Sequence, residues 1–386
     1  MTIETGSVII KLTRVNFEKE SACMETAARM TLEAIAAEIG ISRTTIYKVL
    51  KNKGNVSEKT KATVIAALEK YHYVQNKNAR NLALNRQYTI GYVGFQSRSA
   101  NYFSPEVRKG IGEAVREFGD DGLHVLIAEA FLEEPWRQLE EVENMLAQGV
   151  RSFLFAASDD KEVTEKILQR LAAEECQVVL LSRDSKKGGE NYYVGVDYYR
   201  SGRLAAELLG KMISGGAAGA GKGIETKKIF VPVTTEYRSN QDIHARLNGF
   251  LDKIKDFPDC QVLPAAYELV EDEEISRAVN SCVQKEPELR GIFDLTYRLD
   301  LMAGALRGCG RCDIRLVGFD LFEEIKKDIQ DSVIDAVVYQ DLSRQAYLGI
   351  KLLFEEMCYG ISNEKKKFYS RLEIITGENL CYFTEE

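Results

Sequence analysis

The chain has 386 residues, of which 45% are apolar and 28% charged, so it is long enough for two or three domains with sizeable cores. No apolar run approaches the ~18 residues of a membrane-spanning helix, and the N-terminus lacks the order of a secretory signal. Eight scattered cysteines do not form the cluster of a small disulfide scaffold. We therefore expect a cytoplasmic protein without a membrane partner.

The charge is unevenly distributed along the chain. The net charge is −8, yet residues 30–87 carry ten Lys/Arg and four Asp/Glu, a balance of +6. Residues 88–386 carry 37 basic and 51 acidic residues, a balance of −14. A basic segment on an acidic body indicates one domain that faces nucleic acid.

Residues 1–29 have weak periodicity, and we expect them to form a disordered extension. From Thr31 the pattern is helical: TLEAIAAEI has an apolar stripe, Gly40 stands where that helix ends, and Ser42 is placed to cap RTTIYKVL. After the turn KNKGN, Ser57 caps a third predicted helix at about 58–71, whose inward residues are Val64, Ile65 and Leu68.

The first two helices have the spacing of a helix-turn-helix. Ala36 lies four residues before the turn glycine, Gly40, where a crossing helix needs a small side chain. The apolar positions that pin the pair are Ile35, Ile39, Ile41, Ile46 and Val49. We predict an all-α helix-turn-helix domain over residues 30–76; a generic helical hairpin is the alternative.

The second helix of such a domain enters the major groove with its N-terminal residues at the base edges. Those residues are Arg43 and Thr44, with Lys48 one turn later, and their groups suit base-edge hydrogen bonds. The alternative for each of them singly is a solvated charge or hydroxyl. The residues expected to contact phosphates, which position the domain without reading sequence, are Thr31, Asn55, Ser57, Tyr73 and Asn76.

After Gln87, short apolar runs alternate with amphipathic stretches of helix length. This alternation predicts an α/β body of doubly wound parallel sheets over residues 88–386. Its size suits two lobes. We expect the first lobe at about 88–209 plus 340–370, and the second at about 210–339 plus 371–386, with a ligand cleft at the carboxyl ends of the strands.

The head and linker resemble the lactose/galactose repressor family of bacterial transcription regulators. The residues that carry the resemblance are TLEAIAAEIGISRTTIYKVLKNKGNVSEKT and LEKYHYVQNKNARNLA. The resemblance implies that Arg43, Thr44 and Lys48 read bases and that the linker, residues 77–87, contains a hinge helix. It also implies that Leu82 wedges into the minor groove, although the residues alone are equally compatible with core packing. Gln75 departs from the proline that many members have there.

Polar side chains follow several predicted strands of the body. Asp197, Asp320 and Gln340 each come after a strand, and Arg246 lies in HARLNGF. Carboxylates and a guanidinium make directional bonds to vicinal hydroxyls, so the set suits a sugar-like ligand. The alternatives are a surface ion pair for Arg246 and helix caps for the two aspartates.

Two aromatic residues, Tyr102 and Phe103, follow the first strand loop and are expected to stack on a sugar face.

The body, with GVDYYRSGRLAAELL, ARLNGF and LVGFD, is similar to the type I periplasmic-binding-protein-like body of the same family. The resemblance implies that Asp197, Arg246, Asp320 and Gln340 contact the effector, and it adds Arg183 of LSRD, as in pentose-binding relatives. Two departures stand out. Tyr198 replaces a usual Asn, and the usual Asn-Asp pair is absent from GIFDLTYRLDLMAG, where the nearby candidates are Asp294, Tyr297 and Arg298.

The sequence thus predicts a homodimeric, nucleoid-associated repressor of carbohydrate-utilisation genes. It would bind a pseudo-palindromic double-stranded operator under the control of a small carbohydrate. The alternatives are a protein or nucleobase corepressor, or a sugar-binding transport receptor. No catalytic set or metal-ligand spacing stands out, so we expect neither enzyme activity nor a cofactor.

Overall fold

The computed structural model describes residues 10–11, 32–42, 45–46, 49, 56–71, 87–96, 102–185, 191–214, 226–234, 240–263, 266–269 and 272–384. The chain divides into two compact units. The head is Thr13–Arg86, and the body is Met1–Leu12 with Gln87–Glu386. No helix within these described ranges is long and apolar enough to cross a membrane.

The strands and helices are numbered in chain order. The described strands are β1 Ile10–Lys11, β2 Tyr88–Gln96, β3 Leu123–Phe131, β4 Ser152–Phe155, β5 Gln177–Leu181, β6 Tyr192–Gly195, β7 Lys227–Phe230, β8 Pro232–Thr234, β9 Cys260–Val262, β10 Ala266–Leu269, β11 Leu289–Phe293, β12 Arg315–Phe319, β13 Ala336–Tyr339, β14 Lys367–Tyr369 and β15 Glu373–Ile375. The described helices are α1 Leu32–Ile39, α2 Glu58–Lys70, α3 Phe103–Phe118, α4 Trp136–Ala147, α5 Lys161–Ala173, α6 Tyr198–Ile213, α7 Gln241–Ile254, α8 Asp272–Lys285, α9 Leu299–Gly308, α10 Glu323–Gln330 and α11 Leu342–Tyr359.

The described part of the head is helical. α1 ends at Ile39 and is followed by Gly40, which has φ +64°; the Ile41 N–H donates to the Ala36 carbonyl at 3.2 Å. This left-handed turn is the conformation that favours glycine, as the spacing predicts. Residues 45, 46 and 49 are also helical.

A small core joins the helices of the head. Ile35, Ile46 and Val64 are fully buried, and Ala67 joins them. Ile65 is 48% exposed, so its predicted inward position is wrong. Ala67 lies three residues after Val64 and shares its face of α2, whereas Ile65 is one residue on and points elsewhere.

The first lobe is built on a sheet with the described strand order β1-β3-β2-β4-β5-β6-β14. All its neighbours are parallel except β1, which pairs antiparallel with β3. Helices α3 and α11 pack on one face and helices α4 and α5 on the other. Both faces are covered, so the strands are apolar throughout, as parallel strands require.

The second lobe has the described strand order β15-β13-β12-β11-β7-β9, parallel except for β15. A separate pair joins β10 and β8. Helices α6 and α7 cover one face, and α8, α9 and α10 cover the other. The two lobes with helices on both faces confirm the predicted fold class.

Helix α6 belongs to the second lobe and not, as its sequence position suggests, to the first. Its residues Ala205 and Leu209 pack with Phe250 of α7 and Phe293 of β11. The crossover between lobes therefore comes near residue 197 instead of residue 209. A chain that leaves one parallel sheet can carry its helix to either sheet, and the apolar stripe of α6 does not distinguish them.

Helices α6 and α7 cross at two glycines. A Cβ atom added at Gly202 would lie 1.9 Å from the Arg246 carbonyl oxygen, and one at Gly249 would lie 1.9 Å from that of Tyr199. Only glycine permits this backbone approach. The crossing fixes where α7, and with it Arg246, meets the sheet.

Candidate functional site

A cleft lies in the body where strands of both sheets end. It encloses about 630 Å³ including its open mouth, which is within the range of small-molecule sites. It combines aromatic walls with a few polar groups. Its lining residues are Phe95, Tyr102, Phe103, Leu132, Ala157, Asp159, Leu181, Ser182, Arg183, Tyr198, Asn240, Asp242, Tyr297 and Gln340.

Arg246 is the largest fully buried side chain described, at 0% exposure. Its guanidinium carbon lies 3.9 Å from the centre of the Phe319 ring and 4.8 Å from that of Tyr198. Nη1 donates to the Tyr297 hydroxyl at 2.5 Å, while Nε and Nη2 have no hydrogen-bond partner among the described residues. The predicted alternative, a surface ion pair, is excluded by this burial.

The guanidinium remains charged despite its burial. Burial acts to lower the pKa of Arg246, but the oxygens of Tyr297 and Asp320 outweigh it, and the pKa is raised. The ring faces around it add a favourable cation–π contribution. A charged donor with two unused N–H directions is therefore held in place before any ligand arrives.

Asp320 is 1% exposed and lies behind the lining of the cleft, bonded to two of the lining residues. Its Oδ2 accepts from the Tyr102 hydroxyl and from Gln340 Nε2, both at 2.9 Å. Its Oδ1 and the Gln340 Oε1 have no partner within the described part of the chain. Burial raises the pKa of Asp320, although Arg246, Tyr102 and Gln340 act to lower it.

Backbone strain is concentrated around the cleft. Six described residues other than glycine have positive φ, and four of them, Ser182, Tyr297, Asp320 and Asp341, follow the ends of strands whose loops border it. Their φ values are 62°, 59°, 61° and 52°. Such conformations cost ~1–3 kcal/mol each and tend to persist at functional sites. The positive φ angles therefore indicate, independently of the side-chain contacts, that the functional site lies at this end of the sheets.

Arg183 forms ion pairs with carboxylates of both lobes at the cleft. Its Nη2 lies 2.7 Å from Asp159 Oδ1, and its Nε donates to Asp242 Oδ2 of α7 at 3.1 Å. Asn240 Nδ2 also crosses between the lobes, donating to Asp159 at 3.0 Å. Arg183 therefore lines the cleft, but its charge is already balanced by two carboxylates.

Of the predicted cleft residues, Tyr102, Phe103, Arg183 and Gln340 line the cleft. Arg246 and Asp320 are buried behind it and are bonded to lining residues. Tyr102 stacks on Phe322 with ring centres 5.5 Å apart, and Phe103 stacks on Phe95 at 4.5 Å. Asp197 is the exception: its Oδ1 accepts the Arg200 N–H at 2.9 Å as the cap of α6. Its side chain is 39% exposed and does not line the cleft.

Tyr297 and Tyr198 both contact the guanidinium of Arg246. They stand at the two places where the sequence departs from the family pattern. Sequence reasoning missed Asp242 and Phe319. Asp242 lies one turn before Arg246 on α7, so helical spacing was a usable signal for it. Of the other nearby candidates, Asp294 accepts hydrogen bonds from Thr296 and Arg298 pairs with Asp300, outside the cleft lining.

The predicted DNA-contacting residues fall mostly outside the described residues. Ser57 is described, and its hydroxyl accepts the Thr60 N–H at 3.2 Å, so it caps α2. The others outside the described ranges are Thr31, Arg43, Thr44, Lys48, Asn55, Tyr73, Asn76 and Leu82. In the part of the chain that is described, no group of three or more His, Cys, Asp or Glu is placed to hold a metal ion.

Two family models match the chain. Residues 31–76 match the model of the bacterial regulatory proteins of the lacI family. Residues 90–360, well over half of the chain, match the model of the periplasmic binding protein domain. The two matches follow the division into head and body.

Among curated proteins, the chain is 29% identical over 90 residues to the probable HTH-type transcriptional repressor ExuR of Bacillus subtilis. That match covers 23% of the chain and 27% of the relative. It is 25% identical over 181 residues to the HTH-type transcriptional regulator DegA of the same organism, which covers 47% of the chain and 52% of DegA. The chain thus spans from about a quarter to about half of these relatives.

Among solved structures, the chain is similar to a putative LacI transcriptional regulator from Bacteroides fragilis. The TM-score is 0.64 at 17% identity, covering 78% of this chain and all of that one. It is also similar, with TM-score 0.64 at 16% identity, to a periplasmic solute binding protein from Actinobacillus succinogenes with bound D-allose, covering 77% of this chain and all of that one. At these identities the likeness shows a shared fold.

Proposed function

Because the chain belongs to the periplasmic binding protein domain family and carries a head of the lacI family, we propose that it is a DNA-binding transcriptional repressor of carbohydrate-utilisation genes. A small sugar-like effector in the body controls its affinity for operator DNA. The observation that carries this proposal is the aromatic and polar cleft, whose lining residues Tyr297, Tyr102 and Gln340 hydrogen-bond the buried groups of Arg246 and Asp320.

The unpartnered atoms define the chemistry of the effector. Arg246 offers two N–H donors, and Asp320 Oδ1 and Gln340 Oε1 offer acceptors. An apolar ligand would leave each of these atoms unsatisfied, at a cost of ~1–3 kcal/mol apiece. Vicinal hydroxyl groups both donate and accept, and a sugar ring face suits the rings of Tyr102 and Phe103.

The head supplies the DNA-binding side of the proposal. Arg43, Thr44 and Lys48 read base edges in the major groove, and Leu82 enters the minor groove. Phosphate contacts come from residues around the same helices, namely Thr31, Asn55, Ser57, Tyr73 and Asn76. Two copies of the chain form a homodimer that reads a pseudo-palindromic operator, in the cytoplasm at the nucleoid.

Effector binding acts through the relation between the lobes. The first lobe contributes Tyr102 and Arg183 to the cleft, and the second contributes Tyr297 and Asp242. A ligand bonded to both sides favours one relative orientation of the lobes. The change in operator affinity is then set by the difference between the effector's affinities for the two DNA-binding states.

The chain acts by binding and not by catalysis, as the names of its curated relatives, a repressor and a regulator, suggest. A transport receptor would share the body fold, but a DNA-binding head has no use there.

The proposal is tested by selecting DNA from a randomised pool with the full chain. Arg43→Ala should bind the enriched sequence ~1–3 kcal/mol more weakly and relax one base position. Lys211→Ala, an exposed charge on the body, is the matched control and should bind like wild type. Equal binding of wild type and Arg43→Ala to every sequence would refute the proposal.

A further inference from the structure

A second cavity adjoins the cleft at Arg183. It encloses about 850 Å³ including its mouth and belongs to the same body. Five residues line both spaces, so the two cavities adjoin: Ala157, Asp159, Arg183, Asn240 and Asp242. The guanidinium of Arg183, held by its two carboxylates, stands at the junction.

Two buried hydroxyl groups in this second cavity lack partners. Ser158 and Thr164 are 3% and 9% exposed, and neither hydroxyl oxygen has a hydrogen-bond partner in the described part of the chain. Their backbone groups are satisfied, since the Ser158 N–H donates to Gln138 Oε1 and the Thr164 N–H to the Asp160 carbonyl. Both residues line the second cavity and neither lines the first. Buried polar atoms without partners are rare in proteins and call for a ligand or an ordered water.

The walls of the second cavity differ from those of the cleft. The cleft has five aromatic lining residues, whereas the described lining of the second cavity has none. Its polar lining can bond the edge of a hydroxylated ring but offers no ring face for stacking.

The charges in the second cavity argue against an anionic ligand. Two cations and four carboxylates line it; Arg183 is paired with two of the carboxylates, and Asp184 with Lys367. A phosphate or carboxylate group would meet this excess of negative charge at short range. The charged lining residues are Lys161, Arg183, Asp159, Glu165, Asp184 and Asp242.

We propose that the second cavity is a subsite for a second sugar unit, so that the effector is a neutral disaccharide. One unit occupies the aromatic cleft at Arg246 and the other lies against Ser158 and Thr164. The bond between the units passes Arg183. This inference rests on the proposed function, because it assumes that the cleft takes a carbohydrate.

The test is calorimetric titration of the full chain with two sets of probes. The disaccharides are maltose, cellobiose, lactose, sucrose and trehalose, and the monosaccharides are glucose, galactose, allose and arabinose. Glucose 6-phosphate and galacturonate serve as anionic probes. The disaccharide that binds best to wild type is then titrated into Thr164→Val and Thr164→Ser.

At least one disaccharide should bind more tightly than any monosaccharide or anionic probe. Thr164→Val should weaken it about fivefold, the equivalent of one net hydrogen bond, while Thr164→Ser keeps the hydroxyl and most of the affinity. Thr164→Val should be at least as stable as wild type, because the lost hydroxyl has no partner in the described chain.

A failure of the second subsite can be distinguished from a failure of the proposed function. If a monosaccharide or an anionic probe binds as tightly as every disaccharide, or if Thr164→Val binds its disaccharide unchanged, the second subsite is refuted and the proposed function stands. If no probe of any kind binds wild type, the carbohydrate effector itself is refuted, and the second subsite with it.

Discussion

The crossing of α6 and α7 gives the sharpest test of how the fold positions Arg246. In Gly202→Ala the new methyl group would lie 1.9 Å from the Arg246 carbonyl oxygen, about 1.5 Å short of the ordinary contact distance of 3.4 Å. The obstacle is backbone, which no side-chain rotation relieves. The helices must separate, and we expect a loss of about 3 kcal/mol in the free energy of unfolding.

The assay is urea unfolding of the full chain followed by circular dichroism, with Gly304→Ala as the matched control. Gly304 is an exposed glycine in α9 with no atom within 4 Å of an added Cβ, so alanine there should add ~0.5–1 kcal/mol. Gly202→Ala should also weaken binding of any cleft ligand, because α7 carries Arg246. Equal stability of Gly202→Ala and wild type would refute the proposed role of this crossing.

The remaining predictions concern buried carboxyl groups. Burial raises the pKa of Asp294 to about 6, above its ordinary ~3.9, so the protonated form is favoured in the folded state. The stability this gives is complete below about pH 4 and is lost as pH rises through 6, about 3 kcal/mol in all. Asp294→Asn should remove that dependence in unfolding experiments from pH 4 to pH 7, and an unchanged pH profile would count against it. Tyr102→Phe removes a hydrogen bond to the Asp320 carboxylate and should cost ~1.5–3 kcal/mol in unfolding free energy. The Tyr102 bond acts to lower the pKa of Asp320, so ligand binding by Tyr102→Phe should weaken on acidification at a higher pH than in wild type. Coincident pH profiles for the two proteins would contradict this.

Local pattern was enough to predict the central parallel strands and the helices that cover them. The short apolar run TIGYVGF, residues 89–95, lies within β2, Tyr88–Gln96. The amphipathic stretch at 136–147 forms α4. The short strands β9, β14 and β15 could not be found this way, because three residues at a sheet edge carry no periodic signal.

The cleft and the buried carboxylate behind it were predictable where a polar residue follows a buried strand, as with Gln340 and Asp320. The same rule failed for Asp197, because an aspartate after a strand is also the natural cap of the next helix. The aromatic rings around the guanidinium of Arg246 could not be predicted from the sequence. Phe319 is the last residue of β12 and Tyr297 follows β11, and only the folded sheet brings their rings to one guanidinium.

The central claim is that a cleft ligand controls DNA binding, and the most direct test is one coupled titration. The DNA enriched from the randomised pool is titrated with the full chain by fluorescence anisotropy, with and without the best-binding carbohydrate, for wild type and Arg246→Met. The account predicts that the carbohydrate changes the Kd of wild type for DNA by about 5–150-fold, the usual range of coupling between sites, and leaves that of Arg246→Met unchanged. A carbohydrate that binds wild type but leaves its Kd for DNA unaltered would contradict the account.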